Sequence, residues 1–516
     1  MSSKGLFQNH IHPVFTGTIP KTLGFVMFSL SLALLVPAGM AMFMGEDPMI
    51  YLIPVPPLMA LGILMYVLFR PSPNFRSVNG LLMVGMAWIL VFLIGAIPFA
   101  LMGFNLLDSI FESVSGFTTT GATVIDRYEE IPYSMYIWRS LSQWIGGLMV
   151  ILIFMYMLPS FGIGRNLFVN ELSGSGSTKY SVKMTNAARS FIAVYMVLTA
   201  LNLVCLLVIG TDPKESICLA LTTISTGGMI YGSHSLMDAG FALRAVTLVF
   251  MLLGGLNFYI HFTAIFKRTL RAYSNNTELR LLLMWFLISS VIIYGLMVLS
   301  VPDVLGFDLS RHLELLFDSF FTTVSMGTTT GLYVVDFVQF PSACIFILFV
   351  VTFFGASGGS TSGGVKFSRL IILAQFIKNN VSRLLNPNGV YSVKVDGQAL
   401  EDSAVMNALC ILVLYLLTMF AGSAAFMLFG YGFIEAVGLS LSSITNVGLG
   451  FGDFGPNTSV AFIPPAAKTM MIVLMWFGRM EILMALTYLT PAFWREIWSS
   501  HRSKKRVKSL TRYREE

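Results

Sequence analysis

The sequence predicts an all-α polytopic membrane protein: two leading helices, then four helix–pore-loop–helix units in a pseudo-fourfold arrangement. Three observations predict it. Of the 516 residues, 55% are hydrophobic and only 11% charged, and the mean hydropathy is +0.77, whereas soluble domains carry about 25% charged residues. The apolar residues gather into long runs, each near the ~20 residues a helix needs to cross the hydrocarbon core. Between those runs one stretch recurs four times. Its clearest copies are Asp108-Ser109-Ile110-Phe111-Glu112-Ser113-Val114-Ser115-Gly116-Phe117-Thr118-Thr119-Thr120-Gly121 and Asp318-Ser319-Phe320-Phe321-Thr322-Thr323-Val324-Ser325-Met326-Gly327-Thr328-Thr329-Thr330-Gly331. Two weaker copies lead from Glu215 to Ser225-Thr226-Gly227-Gly228 and from Glu435 to Asn446-Val447-Gly448.

Ten spans are expected, at 22–45, 49–69, 79–103, 135–158, 189–211, 241–266, 279–301, 340–378, 404–430 and 466–494. The first apolar run, from near Leu23, is long enough to cross and reads as a retained anchor rather than a cleaved signal. The eighth is too long and is broken internally. Copies of the repeat fall between spans three and four, five and six, seven and eight, and nine and ten. The chain thus divides into an N-terminus with the leading pair (1–75), four pore units (76–178, 179–274, 275–395, 396–498) and a basic tail (499–516).

Charge sets the orientation. With the N-terminus inside, the outer side and its flanks hold only Arg127, Arg139, Lys214, Arg244, Arg311 and Lys468. Nearly all other Lys and Arg residues fall inside. Both termini are therefore expected in the cytoplasm, and every repeat copy enters from outside. The net charge of +6 reflects this distribution and not a nucleic-acid surface. The tail from His501 to Glu516 suits a solvated segment near anionic lipid, with docking of a cytoplasmic partner as the alternative. Cys205, Cys218, Cys344 and Cys410 stand singly without C-x-x-C spacing, which argues against a disulfide or zinc framework. His261 has no second ligand at helical spacing and reads as a packed residue.

The repeat carries the chemistry. Non-helical backbone at membrane depth is tolerated only where it is buried in protein or lines a water-filled path. Each copy starts with an acid, continues through about ten residues able to form a short helix, and ends in a Thr/Gly segment. An acid at a helix N-terminus suits the positive end of the dipole. The C-termini would then point inward, and four of them aimed at one axis favour a cation. Glycine relaxes the limits on turning carbonyls toward that axis, and carbonyl rings replace the hydration shell of K⁺ in potassium channels. The loops read TTTGAT, ISTGGM, TTTGLY and TNVGLG, and Gly121, Gly227, Gly331 and Gly448 are taken as the matched position. The acid stands thirteen residues before that glycine in copies one, three and four, and twelve before it in copy two. The candidate filter residues are Thr119, Thr120, Gly121, Ala122, Ser225, Thr226, Gly227, Gly228, Thr329, Thr330, Gly331, Leu332, Asn446, Val447, Gly448 and Leu449. Any bound metal is expected to be K⁺ at these residues alone.

Two oddities complete the reading. Span eight contains Gly355-Ala356-Ser357-Gly358-Gly359-Ser360-Thr361-Ser362-Gly363-Gly364-Val365-Lys366. Each Gly costs about 1 kcal/mol against Ala in a helix interior, so this is an unwound centre between apolar flanks. It fails the phosphate-loop pattern because Val365 separates Gly364 from Lys366. A simple kink or close helix contact is the alternative. Arg479 sits within the apolar run Met470–Thr490, and a central charge costs around 2.5–3.5 kcal/mol on insertion scales. It must face the protein interior or water, as an ion pair with another helix or as a positive charge on the ion path. The candidate residues of this second site, on a polar path, are Gly355, Gly358, Gly359, Ser360, Thr361, Ser362, Gly363, Gly364 and Arg479.

The four units, the run Ser113–Thr123 and the two leading helices resemble the Trk/Ktr/HKT superfamily of K⁺ transporters, most nearly its bacterial TrkH-type subunits, over residues 20–495. The resemblance implies K⁺ preference from a Gly in each loop, with Ser at the first loop going with Na⁺ permeation. It implies that the 355–366 segment is an intramembrane loop gating the filter, and that Arg479 matches an Arg in the family's last helix. It further implies a bacterial plasma (inner) membrane, a homodimer and a cytoplasmic nucleotide-binding regulator of the TrkA type. No motif in this chain binds a nucleotide, and no cofactor is expected. A Na⁺- or H⁺-coupled secondary transporter is the alternative, although the shared topology of the four units fits it less well. A membrane enzyme would need a convergent His/Asp/Glu/Cys set that no span supplies.

Overall fold

The computed structural model describes residues 17–71, 77–157, 177–232, 236–266, 268–300, 308–395, 398–456 and 458–498. The basic tail lies outside these residues. The described chain forms two compact units. One draws on the chain up to Ser113, on Pro132–Trp138 and on the chain from Met480; the other holds Val114–Ile131 and Arg139–Arg479.

Helices account for nearly all regular structure. In chain order they are α1 (Thr18–Met44), α2 (Met49–Leu52), α3 (Val55–Leu68), α4 (Ser77–Leu101), α5 (Leu106–Phe117), α6 (Tyr133–Met157), α7 (Ser177–Ile209), α8 (Pro213–Ile224), α9 (Phe241–Gly255) and α10 (Phe258–Phe266). They continue as α11 (Arg271–Ser274), α12 (Thr277–Ser300), α13 (Leu309–Gly327), α14 (Ser342–Phe354), α15 (Phe367–Leu385), α16 (Asp402–Leu428), α17 (Phe433–Thr445), α18 (Pro465–Arg479) and α19 (Ile482–Thr487). Among the described residues, seven helical segments are long and apolar enough to cross a membrane, or up to eight with one bent pair. A two-residue antiparallel ladder, Lys394–Val395 with Gln398–Ala399, is a small exception to the all-α expectation.

In the first unit, one carboxylate organises a helix start. The first N–H groups of a helix have no intrahelical acceptor. Glu46 fills that need for α6, accepting from Tyr133 N at 2.7 Å and Ser134 N at 2.9 Å. The buried Tyr51 hydroxyl bonds Ser134 Oγ at 3.1 Å beside it. The Tyr488 hydroxyl donates to the Leu81 carbonyl at 2.6 Å, joining the last part of the chain to α4.

Two expected spans are not single helices. Residues 241–266 bend by 100° between α9 and α10. The break follows Gly254-Gly255, and Asn257 starts the new helix by accepting from Tyr259 N at 2.9 Å through its side chain, a common helix-start chemistry. Residues 466–494 are also interrupted: α18 stops at Arg479 and α19 starts at Ile482. Glu481 between them has φ 64°, which a right-handed helix cannot continue through. The eighth span is broken as expected, into α14 and α15. The four cysteines carry no disulfide. His261 is packed, its ring bonded to the Tyr273 hydroxyl at 2.8 Å and the Leu253 carbonyl at 2.9 Å.

Candidate functional site

The four short helices α5, α8, α13 and α17 end in the same way. In the first copy, Thr120 N donates to Ser115 O at 2.9 Å and Thr119 N to Gly116 O at 2.9 Å. This paired pattern closes a helix through a left-handed residue, usually Gly. The same two bonds recur from Gly227 and Thr226, from Thr330 and Thr329, and from Val447 and Asn446. The left-handed residues are Thr119 (φ 53°), Thr226 (φ 53°), Thr329 (φ 57°) and Asn446 (φ 58°). Asn tolerates this region. A β-branched Thr does not, and the strain is on the order of 1–3 kcal/mol each. Strain repeated at three matched positions marks a geometry imposed by a site.

The bonding pattern corrects the register of the second copy. Thr226 matches Thr119, so Gly228, and not Gly227, matches Gly121, Gly331 and Gly448. The φ values agree: Gly121 86°, Gly228 72°, Gly331 73° and Gly448 82°. With Gly228 as the partner, the acid stands thirteen residues ahead of the glycine in all four copies. Gly227 takes the place of Thr120, and Met229 that of Ala122.

These glycines close a ring. A Cβ on Gly121 would run into the Gly227 carbonyl oxygen, one on Gly228 into that of Thr330, one on Gly331 into that of Val447, and one on Gly448 into that of Thr120. Each segment thus abuts the next in chain order, and the fourth returns to the first. Glycine is required twice over at each place, by its positive φ and by the close approach of a neighbouring carbonyl. Gly121, Ala122, Gly227, Gly228, Gly331, Leu332, Val447, Gly448 and Leu449 all line one open cavity. Thr119, Thr120, Ser225, Thr226, Thr329, Thr330 and Asn446 are buried. Asn446 Nδ2 links the last segment to the first through Thr120 Oγ1 at 3.0 Å. In copies one and three, matched hydroxyl pairs, Thr118 with Thr120 and Thr328 with Thr330, each meet at 2.7 Å.

The acids play two roles. Asp108 sits in the first turn of α5, where its Oδ2 accepts from Asn105 Nδ2 at 2.6 Å. Glu215 and Glu435 likewise occupy the first turns of α8 and α17, which fits capping. Asp318 does not fit it. The third short helix begins early, at Leu309, and Asp308 caps it by accepting from Ser310 N at 3.0 Å. Asp318 therefore lies mid-helix, and Arg244 Nη1 stands 3.5 Å from its Oδ1.

The Gly355–Lys366 segment is fully buried and touches three of the four filter segments. Thr361 Oγ1 receives a bond from Thr226 Oγ1 at 3.2 Å. Gly363 N donates to Thr329 Oγ1 at 2.7 Å. A Cβ on Gly363 would strike the Thr445 carbonyl oxygen. The predicted gate residues are thus brought together against the helix-side end of the ring. Arg479 joins them, donating from Nη1 to Thr361 O at 2.8 Å, while its Nε and Nη2 have no hydrogen-bond partner among the described residues. Its partner is a loop carbonyl and not the carboxylate that an ion pair would need.

Sequence reasoning missed Gln143. Buried on α6, it donates from Nε2 to the Gly227 carbonyl at 2.6 Å and accepts from Met229 N at 3.2 Å, straddling Gly228. A Gln in the apolar stretch of span four was the available signal. Glu278 was also missed. Among the described residues no group of three or more His, Cys, Asp or Glu side chains could hold a metal ion. The oxygens available to a cation at the ring are main-chain carbonyls and hydroxyls.

Comparisons with known proteins agree with one another. The family described as TrkH, cation transport protein, matches residues 58–493. The chain is 30% identical to the Trk system potassium uptake protein TrkH of Halomonas elongata, over 84% of this chain and 90% of that protein. It is 30% identical to the Trk system potassium uptake protein TrkG of Escherichia coli K12, over 92% of this chain and 97% of that protein. The crystal structure of the potassium transporter TrkH from Vibrio parahaemolyticus superimposes with a TM-score of 0.83 at 26% identity. That match covers 92% of this chain and 99% of the other.

Proposed function

The chain belongs to the TrkH family of cation transport proteins, and from that premise we propose that it takes up K⁺ through the ring of four glycine-bearing segments. The observation that carries this reading is the closure of the ring, from Gly121 to Gly227, Gly228 to Thr330, Gly331 to Val447 and Gly448 to Thr120. Four helix C-termini, each with partial negative charge, end at it. The backbone carbonyls of Thr120, Gly227, Thr330 and Val447 occupy matched places, where they replace part of the ion's hydration shell. They are not equivalent, since the Gly227 carbonyl alone accepts from Gln143 among the described residues. A filter of this kind is looser than a symmetric one.

The buried Gly355–Lys366 loop then acts as the gate, and Arg479 adds positive charge beside it. The Lys/Arg distribution supports an orientation with both termini in the cytoplasm, so the ring opens outward and the loop lies on the inner side. The family also supports a homodimer in a bacterial inner membrane with a nucleotide-binding regulatory partner of the TrkA type.

Ion flux into vesicles holding the purified protein tests the reading. Uptake of K⁺ or Rb⁺ well above that of Na⁺ is expected, driven by the K⁺ gradient alone. Uptake against the K⁺ electrochemical gradient that stops when a Na⁺ or H⁺ gradient is removed would point instead to a coupled transporter. No K⁺ uptake in any condition would sink the reading.

A further inference from the structure

Charged side chains of both signs hold the loop behind the ring, Arg369 Nη1 among them, donating to the Val365 carbonyl at 2.6 Å. Arg479 takes the Thr361 carbonyl. On the other flank, Glu278 Oε1 accepts from Gly358 N at 3.0 Å. Glu278 stands in the first turn of α12 and is 9% exposed. The neighbours of Gly358 are held by main chain from outside the loop: Ser357 N donates to Gly255 O at 3.1 Å, and Phe258 N donates to Gly359 O at 3.1 Å, while Ser360 Oγ of the loop itself donates to Ser357 O at 2.6 Å. Three successive loop residues are therefore gripped from outside the loop, and Glu278 supplies a charged side chain to that grip.

The chemistry gives this contact weight. A glycine-rich segment without helical hydrogen bonds keeps its position through the partners its backbone finds. A bond from N–H to a carboxylate is charge-assisted and roughly twice as strong as a neutral one. Glu278 also sits at the end of the short connection that runs from α10 through α11 to α12. In the proposed orientation that connection faces the cytoplasm, where a regulatory partner would act. The same connection contributes Phe258 at its other end.

We propose that Glu278 is a positioning residue of the gate, holding the loop in its closed place through Gly358 N–H as the counterpart of Arg479. This rests on the reading of the protein as a K⁺ pore gated by that loop. A role confined to starting α12 would alter stability and leave flux per folded molecule unchanged.

The test uses the full chain in vesicles, with Rb⁺ flux per folded molecule, the K⁺/Na⁺ preference and the melting temperature read for each variant. Glu278→Ala is expected to raise basal flux by about tenfold, the shift that follows loss of one charge-assisted hydrogen bond to the closed state. Glu278→Gln keeps an acceptor oxygen without the charge and is expected to raise flux less. Neither should change the K⁺/Na⁺ preference, because the ring is untouched. Flux per molecule that is unchanged or reduced in both variants overturns the assignment, and so does a lost preference. If Glu278→Ala does not assemble, Glu278→Gln decides alone, with unchanged flux counting against the proposal. Arg479→Ala serves as the reference: if it and the wild type both move no K⁺, the transport reading fails, whereas an open Arg479→Ala beside an unaffected Glu278→Ala defeats only the present assignment.

Discussion

Serine in place of Gly121 or Gly228 is expected to lower the preference for K⁺ over Na⁺ by about tenfold or more, equal to ~1.4 kcal/mol of lost discrimination. Both glycines have φ in the left-handed region, 86° and 72°, where an L side chain adds strain on the order of 1–3 kcal/mol. Both also face the carbonyl oxygen of the next segment with no room for a Cβ. The new side chain must therefore push two segments apart, and the gap between carbonyls widens. Competitive K⁺ and Na⁺ uptake into vesicles reads the effect. Gly331→Ser and Gly448→Ser should behave alike, since the same two conditions hold at both. Gly227→Ser should do less. Its Cβ meets the end of the Gln143 side chain rather than a main-chain carbonyl, and its φ is not in the left-handed region. If Gly121→Ser and Gly331→Ser both leave the preference intact, the filter has been placed wrongly. If Gly227→Ser is the more damaging of the second pair, the register is wrong.

Removing the positive charge beside the loop should have the second large effect. Arg479→Ala is expected to raise basal K⁺ flux by about tenfold or more while leaving the K⁺/Na⁺ preference alone. Two causes act together. The loop loses the donor that holds Thr361 O at 2.8 Å. On the proposed path past the loop, a cation also no longer meets a like charge, whose repulsion depends on its distance and on the effective dielectric. Arg479 is 6% exposed, and its unbonded Nε and Nη2 leave that charge only partly offset among the described residues. Arg479→Lys separates the causes: it keeps the charge and loses the planar donor geometry, so an intermediate rise is expected. Unchanged flux in Arg479→Ala would count against a gate at this place.

Much of this was legible in the chain. Runs of apolar residues placed α1, α4, α12 and α16, and α2 with α3 as one stretch, within a few residues of their observed ends, because a helix in lipid must satisfy its backbone internally. The glycine content of 355–364 located the broken helix, since no helix interior tolerates so many. Other features were hidden for physical reasons. The second copy offers two adjacent glycines, and the position that decides between them is a Thr in a left-handed conformation, which local preference argues against. Asp108 and Asp318 stand at the same place in nearly identical stretches. One starts a helix and the other lies inside it, because α13 begins at Leu309, ahead of the repeat. The 100° bend at Asn257 sits in a run whose hydropathy reads as one span. Gln143 and Glu278 owe their importance to backbone groups far along the chain, Gly227 and Gly358, and spacing alone carries no trace of such partners.

The central claim is that a cation is held where the four segments meet. A crystal structure of the protein soaked in Rb⁺ or Tl⁺ tests it most directly, through anomalous scattering. A peak is expected on the axis of the ring, at the level of the carbonyl oxygens of Thr120, Gly227, Thr330 and Val447, weakened or lost in Gly228→Ser. Strong cation peaks elsewhere in the protein with none at that level would contradict it.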